Sequence, residues 1–283
     1  MELRLLKPVG RLAPTPSGDL HLGNALAFAA CWLSAKQAGG RVILRVEDVD
    51  RGRARPEVAD GQRRDLLWMG FDWDAETPRQ GVRDYAPWLD RLADHTYFCT
   101  CTRRQLKDIA GRCDCVSADH TRGAVRFRLE RAAITFDDRH FGPVQSEPDA
   151  FPDPTMKRAD GTYTYTLAVV ADDIADGVTE VVRGSDLLDY TAVQIELWRA
   201  FGATPPTWLH APMVVDADGQ KLSKSRGAIE ISALRNQGWT PDRLWRTVLP
   251  WLGIHDVGSL SDAVDQFDPT GGESDEIRWI SET

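Results

Sequence analysis

Two short stretches of this 283-residue sequence carry side chains suited to handling phosphate, "HLGN" at 21 to 24 and "KLSKS" at 221 to 225. In the first, a His and a Gly stand where the Pro/Gly-rich "RLAPTPSGDL" gives way to the apolar "ALAFAACWLSAKQA". A helix that starts there presents unpaired N–H groups and the positive end of its dipole, Gly23 lets a ligand approach closely, and His21 can donate to phosphate oxygens. In the second, Lys221 and Lys224 stand three apart in a polar segment, where they can neutralise charge that builds on a transferring phosphorus. Each stretch also has a plain structural explanation, a helix start with a tight-turn glycine and a solvated Lys/Ser loop. Neither a G-x-x-x-x-G-K-[ST] loop nor a G-x-G-x-x-G turn is present, so a nucleotide site in this chain is of another kind.

The second chemical cluster is sulfur. Cys99, Cys101, Cys113 and Cys115 fall within 17 residues as C-x-C-x11-C-x-C, while Cys31 stands alone on an apolar run and reads as a small core residue. Four thiols match the ligand count of a tetrahedral zinc site, with His120 as a reserve ligand. Buried or free thiols are the alternative. Clustered cysteines suit a metal in a reducing compartment better than disulfides.

These residues must be positioned by a fold of ordinary composition, 42% hydrophobic and 27% charged, which has enough apolar material for a substantial core. The length fits one main domain with an insertion or appendage. A net charge of −9 excludes a protein that coats nucleic acid through bulk charge and leaves room for a local basic face. No apolar stretch approaches the roughly 18 residues of a membrane span and the N-terminus lacks a signal-type apolar region, so a cytoplasmic location without membrane contact is expected.

Along the chain, "ALAFAACWLSAKQA" predicts a helix that stops at Gly39 and Gly40, and "RVILRVEDVD" a buried strand, so a βαβ unit follows if "ELRL" or "GRLAP" supplies the first strand. "RPEVADGQRRDLLWMGF" and "DYAPWLDRLADHTYFC" read as helices, the former with Pro56 in its first turn. From Cys99 to about Arg122 the periodicity fails; "AVRFRLE" and "ITFDD" then look like strands and "GPVQSEPDAFPDP" like a loop. "TYTYTLAVVADDIADGVTEVVRG" reads as two strands around an Asp-rich loop, followed by the helix "LDYTAVQIELWRAFG", the strand in "TWLHAPMVV" and the helical "ISALRNQGWTPDRLWRTVLPWLGI". The tail from Gly258 is rich in Ser, Asp, Glu and Gly and is expected to be poorly ordered. Trp68, Trp198 and Trp245 sit among apolar residues at helical spacing and read as core.

The Pro-rich turn with "HLGN" near the start and "KLSKS" far along the chain resembles the paired HIGH and KMSKS motifs of class I aminoacyl-tRNA synthetases, with Asn24 in place of the second His. "RLAPTPSGDLHLGN", "RVEDVD", "YTLAVVADD" and "VVRGSDLL" together resemble the glutamyl and glutaminyl branch of that class. The resemblance implies an α/β fold with a Rossmann-like catalytic core, a zinc-binding insertion and a short helical C-terminal region. It divides the chain into a first catalytic half (1–95), the insertion (96–150), a second catalytic half with the KLSKS loop (151–230) and a helical tail region (231–283). It implies that Arg11, Ala13, Thr15, Glu47, Tyr165 and Arg183 bind L-glutamate, and that His21, Gly23, Asn24, Lys221, Leu222, Ser223, Lys224 and Ser225 bind ATP, which comes with Mg2+. His21, Lys221 and Lys224 would be the catalytic groups. Two arginines suit a dicarboxylic amino acid and an acid suits its ammonium.

"CTCTRRQL" and "GVTEVVRGSDLL" further resemble the short paralogues of glutamyl-tRNA synthetase that act on queuosine, although Cys113 stands where their third zinc ligand is often Tyr and the last Cys comes sooner. Only 58 residues follow Ser225, which at this stage argues for a chain without an anticodon-binding domain. The implied activity is activation of glutamate to its adenylate without tRNA, then transfer to the queuosine base in the anticodon of tRNA(Asp), by a monomer holding one structural Zn2+. Two other readings stay open: a truncated glutamyl-tRNA synthetase that charges a tRNA 3′ end, and a noncatalytic nucleotide-binding regulator built on the same core.

Overall fold

The computed structural model describes residues 7–108, 113–147, 151–216, 218–220, 230–272 and 276–279. "GRLAP" supplies the first strand, β1 (Val9–Leu12), and the expected helix follows as α1 (Leu22–Gln37). Next come β2 (Arg41–Leu44), α2 (Pro56–Met69) and the short β3 (Ala75–Glu76). β1, β2 and β3 run parallel in that order, with Val9 opposite Arg41 and Ile43 opposite Ala75. The Gly39–Gly40 stop works by close approach: a Cβ on Gly40 would lie 2.2 Å from the Pro8 carbonyl oxygen, so only glycine lets the chain turn back beside β1. α1 is buried nearly all round, from Leu22 and Leu26 to Leu33 and Ala35, because it lies between the sheet and the C-terminal helices. A helix apolar on every face belongs in such a middle layer, and truncating a leucine there costs about 2–5 kcal/mol.

The middle of the chain departs from expectation in two places. "DYAPWLDRLADHTYFC" is not one helix: α3 (Ala86–Asp90) is a single turn, and Thr96, Tyr97 and Phe98, β-branched or aromatic, leave it for β4 (Thr96–Cys99). After α4 (Arg103–Asp108) come the expected β5 (Ala124–Phe127) and β6 (Ile134–Asp138). "GPVQS", read as loop, forms β7 (Gly142–Ser146), antiparallel to β6 with Pro143 opposite Asp137. β7 is the outer strand of its sheet, the place where a proline lacking an N–H is tolerated. β8 (Thr155–Lys157) joins β4 and β5 in a separate antiparallel sheet of order β4-β5-β8, whereas β6 pairs with the second parallel sheet.

The larger correction follows. "YTLAVVADDIA" is a helix, α5 (Tyr165–Ala175), and only its continuation is a strand, β9 (Glu180–Gly184). The segment is 11 residues long, beyond the usual strand, and a helix sends Asp172 and Asp173 from one turn into the arginines described below. α6 (Thr191–Ala200), β10 (Thr207–Ala211) and β11 (Met213–Val215) complete this half. The second sheet has the order β7-β6-β10-β9, with β6, β10 and β9 parallel. Thr179 donates its N–H to the Val9 carbonyl at 3.0 Å, so β9 lies alongside β1 and the two parallel sheets adjoin as in a doubly wound α/β fold.

The expected C-terminal helix divides at Gly238 into α7 (Ile231–Asn236) and α8 (Pro241–Val248), the latter capped by Thr240, whose hydroxyl accepts from the Arg243 N–H at 3.2 Å. The tail is not loose where it is described. In α9 (Leu260–Ala263) Leu260 and Ala263, with Phe267 beyond it, are buried in the cluster around α1, and β12 (Glu276–Arg278) pairs with β11. A few apolar anchors suffice there despite the polar composition. Trp198 and Trp245 are buried, Trp68 is partly so, and Trp245 donates to the Met69 carbonyl at 2.7 Å. Among the described residues no helix is long and apolar enough to cross a membrane.

Candidate active site

The loops that leave the carboxyl ends of β1, β2 and β9 face one another across the line where the two sheets meet, the place where doubly wound folds bind ligands. They enclose a cavity of about 600 Å³. Arg11, Ala13 and Thr15 line it from the first loop and Glu47 from the second. Arg183 enters from β9 and Tyr165 from the first turn of α5. His21 and Asn24 border the same space. Thus all six expected glutamate residues and two of the expected ATP residues meet in one cavity. Gly23 is not part of its lining; a Cβ there would come 3.1 Å from the His21 ring, so glycine makes room for the imidazole.

The expectations for Lys221, Leu222, Ser223, Lys224 and Ser225 lie outside the described residues. Glu230, further along the chain, forms an antiparallel bridge with His21, and Ile231 donates to the Leu20 carbonyl at 2.8 Å. The Asn24 side-chain oxygen accepts the His21 backbone N–H at 3.0 Å, so one of its polar atoms closes the start of α1. Gln62, missed by sequence reasoning, donates to the Thr15 and Gly18 carbonyls at 2.9 and 2.7 Å and pins the Pro-rich loop to α2.

Under the cavity floor runs a buried network of ions. Arg11 donates through Nε to Asp173 at 3.2 Å and through Nη1 to the Val182 carbonyl at 2.9 Å. Arg45, wholly buried, reaches Asp173 at 2.6 Å, Glu47 at 3.1 Å and Asp176 at 3.1 Å. Arg83 pairs with Asp172 and Asp176, and Tyr85 and Gln80 donate to Asp172 at 2.9 Å each. Strands β1 and β2 and helix α5 are thereby locked by charge-assisted bonds, which fixes Arg11 and Glu47 before any ligand arrives. Burial pushes the Glu47 carboxyl up, against the pull of Arg45 and Arg11. An incoming cation therefore stabilises the Glu47 carboxylate, as a substrate ammonium would.

Arg183 is held from below. Its Nε donates to His210 Nε2 at 3.0 Å, Nη1 to Gln194 at 2.6 Å, and Nη2 to Thr191 at 2.8 Å and the Leu187 carbonyl at 3.2 Å. His210 Nδ1 lies 2.6 Å from Asp138 Oδ2. Trp208 stacks against His210, and the Arg183 guanidinium sits over its ring at 5.1 Å. Burial lowers Arg183 to about 10. Neither Asp138 nor His210 carries a motif, and a separation of 72 positions hides the pair from sequence reasoning. The Asp172–Asp173 pair, expected in an Asp-rich loop, lies in α5 instead, and two acids beside an apolar run are the signal that could have marked it as a buried ionic site.

The cysteines form a second centre. The Sγ atoms of Cys99, Cys101, Cys113 and Cys115 all lie within 4.8 Å of one another, with Cys99 to Cys113 and Cys101 to Cys115 both 3.6 Å. Tetrahedral coordination with metal–sulfur bonds of about 2.3 Å places sulfurs about 3.8 Å apart, so the cluster can hold a metal ion. Although burial opposes it, the Thr100 backbone N–H and the neighbouring thiols bring the Cys115 thiol down to about 6, towards the thiolate that binds metal. His120, the reserve ligand, is not in the cluster; its Nε2 lies 3.4 Å from the Thr100 hydroxyl. Cys31 is fully buried, its thiol 3.4 Å from the Arg11 carbonyl.

Known proteins place this geometry in a family. The chain is 44% identical to a protein of Nitratidesulfovibrio vulgaris named Glutamyl-Q tRNA(Asp) synthetase, over 81% of both chains. It is 40% identical to one of the same name from Symbiobacterium thermophilum, over 93% of this chain and 90% of that one. The fold is that of the crystal structure of glutamate-tRNA synthetase from Elizabethkingia anophelis, with a TM-score of 0.83 at 22% identity over 98% of this chain and 68% of that one. The family model for the catalytic domain of class I tRNA synthetases (E and Q) matches residues 8–124 and 112–260, and the chain belongs to that family.

Proposed function

We propose that this chain activates L-glutamate with ATP to glutamyl-adenylate, without needing tRNA, and transfers the glutamyl group to the queuosine base in the anticodon of tRNA(Asp). The observation that carries the first half is the meeting of Arg11, Glu47, Tyr165 and Arg183 in one cavity that also touches His21 and Asn24. The second half rests on the relatives and the name they bear. In this reading Arg11 pairs with a substrate carboxylate, Glu47 and Thr15 hold polar groups of the amino acid, and Ala13, Tyr165 and Arg183 complete the pocket. ATP lies against the start of α1, at His21, Gly23 and Asn24, with Lys221, Leu222, Ser223, Lys224 and Ser225 supplied by the second motif and Mg2+ accompanying the phosphates.

The substrate carboxylate attacks the α-phosphorus in line; an oxygen–phosphorus bond forms, the bond to the β,γ-phosphates breaks, and pyrophosphate leaves. The attacking carboxylate is already ionised, so no general base is required, and rate comes from positioning and from the donors His21, Lys221 and Lys224 against the growing negative charge. Lys224→Ala slows adenylate formation by about 100-fold or more while glutamate binding changes little. Cys99, Cys101, Cys113 and Cys115 hold one Zn2+, whose contribution is structural: it ties the turn after β4 to the segment before β5. The protein acts as a cytoplasmic monomer, divided as the family motifs divide it at about residues 95, 150 and 230.

Radiolabelled glutamate and ATP offered to tRNA(Asp) with and without queuosine test this reading. Label that enters only the queuosine-bearing tRNA, and stays after the 3′-terminal adenosine is removed from the labelled tRNA, fits it. Label that requires an intact 3′ end, or that enters both tRNAs equally, overturns it.

A further inference from the structure

The cavity's second arginine is not placed by its own strand alone. Arg183 can only donate, so the His210 Nε2 that receives its Nε–H at 3.0 Å must carry a lone pair, and the ring proton must sit on Nδ1, facing Asp138 Oδ2 at 2.6 Å. Asp138 is itself fixed as a carboxylate: its other oxygen accepts the backbone N–H groups of His140 at 3.0 Å, Phe141 at 3.1 Å and His210 at 3.3 Å. Both side chains of the pair are wholly buried, and neither lines the cavity. They come from β6 and β10, and Trp208 opposite Asp138 is the one registered pair between those strands. A carboxylate, an imidazole and a guanidinium thus form a line that crosses the neighbouring strands β6, β10 and β9 and ends in the cavity.

We propose that His210 is a positioning residue for substrate recognition: with its proton held by Asp138, its free Nε2 sets the plane of the Arg183 guanidinium so that the remaining Nη1 N–H meets a substrate carboxylate. Thr191 and Gln194 hold the other two nitrogens, so the guanidinium has no freedom of its own once His210 is in place. An imidazole bonded to a carboxylate on one side has a fixed ring orientation and a fixed tautomer, which is what a partner that can only donate requires. This inference rests on the reading of the cavity as a glutamate site.

Two substitutions at His210 separate positioning from support of the fold. In His210→Asn the amide nitrogen falls near Nδ1, which keeps the bond to Asp138 and loses the acceptor for Arg183. In His210→Gln the amide oxygen falls near Nε2, which keeps the acceptor and loses the bond to Asp138. Glutamate KM and ATP KM are measured in glutamate-dependent exchange of label between pyrophosphate and ATP with the full chain, alongside direct titration of L-glutamate. His210→Asn raises glutamate KM about tenfold or more with ATP KM within about twofold, and His210→Gln recovers most of the loss. Asp138→Asn, which permits the wrong tautomer, also raises glutamate KM selectively and covers the case in which His210→Asn fails to fold. An unchanged glutamate KM in His210→Asn or Asp138→Asn, or a larger loss in His210→Gln than in His210→Asn, overturns the positioning role. Absence of glutamate binding by the unsubstituted chain overturns the proposed function instead, and this inference with it.

Discussion

The cavity at the sheet junction and the cysteine centre achieve order in opposite ways. Around the cavity, Arg11, Arg45 and Arg83 from three parts of the chain interlock with Glu47, Asp172, Asp173 and Asp176, so the site residues are fixed by protein groups alone. Beside the β4-β5-β8 sheet, four thiols converge with one another, and like groups supply no such lock by themselves. The difference teaches that order at the cavity is built from protein groups of the folded catalytic core, while the four thiols are gathered at a spacing that a metal ion can fill.

The largest effect that can break this comparison comes from Arg45, which does not line the cavity but is linked to it through Glu47 and, by way of Asp173, through Arg11. Arg45→Met leaves three buried carboxylates short of a cation and lowers unfolding free energy by about 3–5 kcal/mol, read by urea denaturation. A loss under about 1 kcal/mol would show that the network is not what holds the core.

Cys113→Ser gives the next effect, and a local one. Metal content falls from about one equivalent to below about half, while glutamate-dependent pyrophosphate exchange changes less than about threefold. A collapse of exchange on loss of metal would mean that the two regions are not independent.

The smallest effect is in pH. Burial lowers the pKa of His210, against the pull of Asp138 and with Arg183 and Arg11 opposing its charge, so the unfolded chain takes up this proton at a higher pH than the folded one. The stability tied to His210 is therefore complete above the ordinary histidine range near 6.5 and declines as pH falls from there to the folded value. The bond from His210 holds Asp138 low despite its burial, so its contribution is complete above the ordinary aspartate range near 3.9 and is lost as pH falls through its folded value. Glu47, raised by burial, acts in the opposite sense and is relieved at acid pH. Thermal midpoints measured from pH 7.5 to 5 fall in the unsubstituted chain, and the fall is shallower in His210→Gln.

Local chemistry explains which features were legible. The α1 helix and its stop were readable because Gly40 is demanded by contact with Pro8, and α2 because Pro56 and the left-handed Gly70 mark its ends. Helix α5 was mistaken for a strand because a continuous apolar run such as "LAVVA" has no period to read, and the two aspartates that reveal it make sense only beside Arg11, Arg45 and Arg83. β7 was hidden by its proline, which is harmless on an outer strand. The tail was hidden by composition, since Leu260, Ala263 and Phe267 are few among Ser, Asp and Gly. The motif residues that line the cavity were legible; the residues that hold them, Gln62, Asp138 and His210, lie far apart in sequence and act only through the fold.

The most direct test of the account is glutamate-dependent exchange of label between pyrophosphate and ATP by the purified chain with no tRNA present. The account predicts exchange with L-glutamate and background rates with L-glutamine and L-aspartate, because the proposed function pairs the two carboxylates of glutamate with Arg11 and Arg183. Exchange absent with glutamate, or equal with glutamine, would contradict it.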